Sequence, residues 1–111
     1  MIIRHCEDVK AEEMAEGFKK RVVIGELEGA PNFIMRVFDV EPGFSSPFHE
    51  HYWEHEIFVI KGEAHIKNGS EEEIPIRQGD AIFIPPFEKH CMVNKSNDVF
   101  RFICLIPSDA E

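Results

Sequence analysis

Gly43-Phe44-Ser45-Ser46-Pro47-Phe48-His49-Glu50-His51-Tyr52-Trp53-Glu54-His55 crowds half of the chain's six histidines into one short segment. On an extended chain residues i and i+2 leave the same face, so His49 and His51 present their imidazoles side by side. His55 follows beyond a short connection, and a fourth histidine, His90, stands in a remote segment after Pro85-Pro86. Neutral imidazole nitrogen binds divalent first-row metals well, and a site assembled from two distant segments is rigid enough to hold one. A solitary histidine in a β protein is ordinarily a surface or satisfied core residue. His5, near the terminus, and His65, alternating outward with Glu63 and Lys67, are read that way.

Working outward, the turn residues recur at about ten-residue spacing: Gly29-Ala30-Pro31-Asn32, Pro42-Gly43, Gly62, Asn68-Gly69, Gln78-Gly79-Asp80, Pro85-Pro86 and Asn94 to Asp98. Regular turn signals separating short Val-, Ile- and Phe-rich runs mark an all-β sandwich or barrel. The expected strands are 21–27, 33–40, 56–60, 64–67, 73–76, 81–84, 90–94 and 99–106, each of strand rather than helix length. Asn68-Gly69 between apolar alternations predicts a hairpin, lengthened by the glutamates that follow. Residues 9–16 alone have helix-forming composition, stopped by Gly17 after one or two turns at most. With 111 residues the chain is sized for one domain, expected as an N-terminal arm over 1–20 and a barrel over 21–107.

Charge and cysteine content narrow the function. The net charge of −9 repels a phosphate backbone, which excludes nucleic acid and anionic membranes as expected partners. Cys6, Cys91 and Cys104 are odd in number and widely spaced, matching neither a disulfide ladder nor a Cys-x-x-Cys knuckle, and so point to a reducing cytoplasm. The start turns polar after three residues, unlike a secretory signal, and no apolar run nears the ~20 residues needed to span a bilayer. There is no Gly-x-Ser-x-Gly elbow and no phosphate-cradling loop, so chemistry is expected to run through a metal.

The joint pattern resembles the cupin family. That family's first motif is a Gly, five residues, His-x-His, three or four residues, a Glu, six residues and a Gly. Here Gly43, His49, His51, His55 and Gly62 reproduce the spacing, with His in place of Glu. The second motif, Gly, five residues, Pro-x-Gly, two residues, His, three residues and Asn, is matched by Gly79, Pro85, His90 and Asn94, with Phe87 in place of the second Gly. Glu56 is the alternative acidic ligand; it leaves the gap to Gly62 one residue short, which favours His55, while face alternation does not decide.

The resemblance implies a single antiparallel β-barrel of the double-stranded β-helix, or jelly-roll, type. Within the family the chain is similar to small four-histidine monocupins, which implies one divalent metal held by His49, His51, His55 and His90. Manganese is the metal the resemblance implies, although imidazole also suits iron, zinc, nickel, cobalt and copper. No cofactor beyond the metal is expected.

Four nitrogens on an octahedral ion leave two adjacent positions for a chelating substrate or dioxygen, so the leading expectation is a metal-dependent oxygenase of a small organic molecule. The alternatives are a non-catalytic metal- or ligand-binding barrel and a metal-dependent isomerase or lyase. Glu50, Glu54, Glu56 and Glu88 are candidate acceptors for the ligand ring N–H groups. Phe44, Phe48, Trp53, Phe87 and Phe102 are candidate pocket residues, and Cys104, sharing a strand face with Phe102, is placed to look inward. Strand 21–27 is a candidate edge for pairing into a homodimer.

Overall fold

The apolar runs between the turn residues form strands because Val, Ile and Phe pack well on a pleated, half-buried surface. The computed structural model describes residues 1–110, in which nine strands appear: β1 (Glu12–Ala15), β2 (Phe18–Ile24), β3 (Phe33–Val40), β4 (His55–Lys61), β5 (Glu63–Lys67), β6 (Glu73–Arg77), β7 (Ala81–Ile84), β8 (Cys91–Val93) and β9 (Phe100–Pro107). All the ladders are antiparallel. One sheet runs β1-β2-β3-β9-β4-β7 and a smaller one β6-β5-β8.

One core lies between the sheets. The larger contributes Phe18, Phe38, Val40, Ile57, Val59, Phe100 and Phe102, and the smaller Ala64, Ile66, Ile76 and Met92. Val40, Val59 and Phe100 are wholly excluded from solvent, each stabilising the fold by about 1.5–3 kcal/mol relative to exposure. Phe18, Phe38 and Phe102 stack in series, with centroids 5.1 and 5.2 Å apart.

The barrel is not closed. The two ladders stay separate, and the segment leading to the histidines is tied across to the smaller sheet by isolated bridges, Ser45 to Val93 and His49 to His90. His49 and His51 thus lie on an irregular extended stretch rather than in a regular strand.

The N-terminal expectation is corrected. Residues 9–16 form no α-helix, and the sheet begins at Glu12, inside the stretch expected as an arm. Ala15 pairs with Phe18 across a two-residue turn. Gly17 supplies the positive φ of 72° there, and Phe44 packs where a Cβ would stand. Pairing with a long neighbour outweighs the weak helix propensity of so short a segment. It also covers β2, so the strand expected as a free edge is paired on both sides, by β1 and β3.

The outer face of this sheet carries a second cluster, Val9, Val23 and Val37. Arg4 binds the Val23 carbonyl at 2.8 Å, and Asp39 is clamped between Arg21 and Arg101. Asn94, the last residue of the second motif, is buried and structural: its Nδ2 donates to the Val40 and Asp98 carbonyls at 2.8 and 2.9 Å. The predicted hairpin at Asn68 is present, and Asn68 Oδ1 accepts from the N–H groups of Ser70 and Glu72 to close its loop.

Candidate metal centre and its chamber

The four histidines lie near one another although three of them, His49, His51 and His90, are outside regular strands. His49 and His90 exchange backbone hydrogen bonds at 3.1 and 2.9 Å, which fixes the loop against the entrance to β8. His51 follows at i+2, its ring 4.2 Å from that of His49. His55 opens β4 facing inward, while Glu56 is exposed on the opposite face. Ring centroids of His51 and His90 lie 4.8 and 5.0 Å from that of His55. Nitrogens of His49, His51 and His90 fall within 4.8 Å of one another, and His55, expected as the fourth ligand, lies beside that group rather than within it.

The donor set fits a divalent metal. His49 Nδ1 donates to the Pro47 carbonyl at 2.6 Å and His90 Nδ1 to the Glu88 carbonyl at 2.7 Å. These bonds select the tautomer in which Nε2 carries a lone pair, the arrangement found in metal-ligating histidines. His55 Nδ1 lies 3.2 Å from Cys104 Sγ, and its Nε2 is buried with no hydrogen-bond partner. A buried polar atom without a partner is costly, and a metal ligand is one resolution of that cost. Burial, followed by the charges of neighbouring histidines and Arg36, pushes His51 down to about 4 and His55 down to about 3. Burial likewise lowers His90. These imidazoles are therefore neutral at pH 7, as ligation requires.

The carboxylates expected to orient the ligands do not do so. Glu50, Glu54, Glu56 and Glu88 all have exposed side chains, and backbone carbonyls together with Cys104 take that role. A short loop brings its own carbonyls to the ring N–H groups without burying a charge.

The histidines open on a cavity of about 350 Å³. Of the pocket candidates, Trp53, Phe102 and Cys104 line it. Phe44 does not, because it packs over Gly17. Phe48 is drawn away between the ammonium groups of Lys67 and Lys89, 4.9 and 5.1 Å from its ring. Phe87 is 66% exposed, and with φ of 67° it adopts the left-handed conformation for which the family uses Gly, sending its N–H to the His51 carbonyl at 2.6 Å.

The remaining walls include Met14, Phe18, Lys20, Arg36, Phe38 and Met92, which sequence reading missed, with Ser46, Pro47 and Ile57. Alternation along residues 18–22 and 34–40 was the available signal, since it puts Lys20 and Arg36 on the same inward face as Phe18 and Phe38.

An antiparallel β-sandwich that gathers three histidines of the two motifs at one end has the form of a cupin, and residues 36–106 match the cupin domain family model. The chain belongs to the cupin family. It is similar to a gentisate 1,2-dioxygenase from Haloferax, 32% identical over 102 residues that span 86% of this chain and 28% of that enzyme. The structure is similar to that of the polyketide cyclase RemF from Streptomyces resistomycificus, with a TM-score of 0.90 and 34% identity over 97% of this chain and 80% of that one. A predicted oxalate decarboxylase from Thermotoga maritima shares the fold, with a TM-score of 0.82 at 22% identity over 97% and 99% of the two chains. Among the described residues no helix is long and apolar enough to cross a membrane.

Proposed function

We propose that this chain is a metal-dependent oxygenase of a small organic molecule, its divalent ion held by His49, His51, His55 and His90. The observation that carries the proposal is the grouping of His49, His51 and His90, with nitrogens within 4.8 Å of one another, beside the buried, partnerless Nε2 of His55. A ligand set without carboxylates leaves a divalent ion its full charge, which supplies Lewis acidity and, for a redox-active metal, electron exchange with dioxygen. Manganese is the first candidate, by likeness to the four-histidine cupins, and iron the second. The chain itself contributes orientation and dryness. The Pro47 and Glu88 carbonyls hold the rings of His49 and His90, Cys104 lies against that of His55, and Phe18, Phe38 and Phe102 exclude water from the chamber. Similarity to the gentisate dioxygenase supports oxygenation.

A second reading, redox-neutral cyclisation of a polyketone, is supported by the likeness to the cyclase over nearly the whole chain. We further propose a cytoplasmic homodimer pairing through the outer face that carries Phe58, Phe83 and Leu105; sedimentation velocity tests the pairing.

Elemental analysis of untagged protein tests the site. Near one equivalent of metal is expected, lost in His55→Ala and His90→Ala and retained in Glu56→Gln. Dioxygen uptake with candidate phenolic acids then separates the readings: uptake coupled to product supports oxygenation, product without uptake supports cyclisation, and tight binding without turnover supports a binding barrel.

A further inference from the structure

The chain's single tryptophan, Trp53, lines the chamber with its one polar atom unsatisfied. It follows His51 by two residues, and its indole stacks on that imidazole with centroids 4.3 Å apart and planes inclined by 4°. Tyr52 meets the indole at right angles, centroids 4.8 Å apart, and is itself tied to the Asp109 carbonyl at 3.1 Å. The indole also packs on the main core cluster. Held on these sides, the ring is not free to swing its N–H out to water.

An indole N–H is a donor and nothing else, and a buried tryptophan ordinarily pairs it. In Trp53 the Nε1 is withdrawn from solvent and, among the described residues, meets no acceptor. A buried donor left in that state is costly. A metal resolves the orphaned Nε2 of His55 but cannot resolve this one, because an N–H has no lone pair to give. The missing acceptor must come from what fills the chamber. That space is about 350 Å³, with Phe18, Phe38, Phe102 and Met92 among its walls, and it suits a flat apolar body.

We propose that Trp53 is a specificity-determining residue, its indole N–H donating to an acceptor oxygen of the substrate and holding that oxygen close to the ring of His51. A site built to hydrogen-bond an oxygen rejects the analogue that lacks it, since the buried donor is then left unpaired. The inference rests on the cavity being the substrate chamber, and it narrows the substrate from small organic molecules to those with a carbonyl-type oxygen on a flat apolar frame.

A single tryptophan gives a single indole N–H resonance, so isotope-labelled protein reports the donor directly. The chelator-treated chain is titrated with acetophenone and with α-methylstyrene, in which a methylene replaces the carbonyl oxygen at nearly the same shape. Acetophenone is expected to move the indole proton downfield relative to α-methylstyrene. Backbone amide shifts then give the affinity of each ligand for the parent and for Trp53→Phe, which keeps an aromatic ring against His51 and removes the donor. The variant should bind acetophenone ~5–10-fold more weakly and α-methylstyrene within ~2-fold of the parent, the difference that one hydrogen bond supplies. The indole resonance of the parent reads the donor by itself should the variant fail to fold. An indole proton that answers both ligands alike, as when a water satisfies it, would overturn the proposal. So would equal losses for both ligands in the variant, or no acetophenone binding at millimolar concentration. These measurements involve neither metal nor dioxygen, so their failure leaves the oxygenase reading standing, and an absence of turnover leaves this one standing.

Discussion

Cys104 Sγ lies 3.2 Å from His55 Nδ1, reaching diagonally across the β4–β9 ladder from its position opposite Ile57. Arg36 donates to the same sulfur at 3.1 Å, so the orientation of one proposed metal ligand is linked to a cation of the chamber wall. Replacing a group that orients a ligating histidine typically costs 10–100-fold in metal affinity. Cys104→Val is expected to weaken metal binding by about 10-fold, while Cys104→Ser, which keeps a polar partner for Nδ1, retains most of it. Competition against a chromophoric chelator measures both; equal affinity in the Val variant would remove Cys104 from any role at the site.

The metal-free protein should lose stability in acid through its histidines. In the unfolded chain an imidazole takes its proton near pH 6.5, whereas the folded protein holds His51 at about 4 and His55 at about 3. The unfolded state thus binds more protons between those values, so stability is complete above pH 6.5 and falls as pH drops toward 3. Thermal unfolding from pH 7.5 to 4.5 should show Tm falling below pH 6.5, with a shallower fall in the His51→Gln/His55→Gln double variant. Parallel profiles for the two proteins would count against the depressed values.

On the other face of the larger sheet, Asp39 accepts from Arg101 Nε at 2.6 Å and from Arg21 Nη1 at 2.9 Å. Burial would raise its carboxyl, but the hydrogen bonds from Arg101 and then Arg21 outweigh this and hold it below the usual carboxylate range. Asp39→Asn leaves Arg21 and Arg101 with the exposed Glu7 as carboxylate partner and is expected to cost about 2 kcal/mol, read by urea unfolding. A loss under about 0.5 kcal/mol would show the cluster to be a solvated surface pair.

Phe87 holds a left-handed backbone conformation with its side chain largely in solvent. Such a conformation costs an L-residue roughly 1–2 kcal/mol, and little packing is lost on truncation. Phe87→Gly should therefore raise stability by about 1 kcal/mol while metal content is unchanged. Destabilisation would mean that the exposed ring makes contacts worth more than the strain.

The strands and the turns were legible because they rest on local rules, period-two alternation and turn chemistry, and the grouping of His49, His51 and His90 was legible from the spacing of the two motifs. Phe33–Val40 and Ala81–Ile84 have the bounds the sequence predicts. His55 over Glu56 was not decided locally, since both flanking faces of that strand are apolar. The ladder with β7 and β9 turned His55 inward and left Glu56 exposed. The helix expected over 9–16 yielded to a neighbour that only the folded sheet provides. The orienting groups of the histidines came from carbonyls and a thiol rather than nearby glutamates, because burial excludes unpaired carboxylates. Sequence alone thus determined the family and the candidate histidines, which follow from motif spacing. Tertiary structure decided which side chains share the chamber, since Lys20, Arg36 and Cys104 meet the histidines only where three strands of one sheet lie side by side.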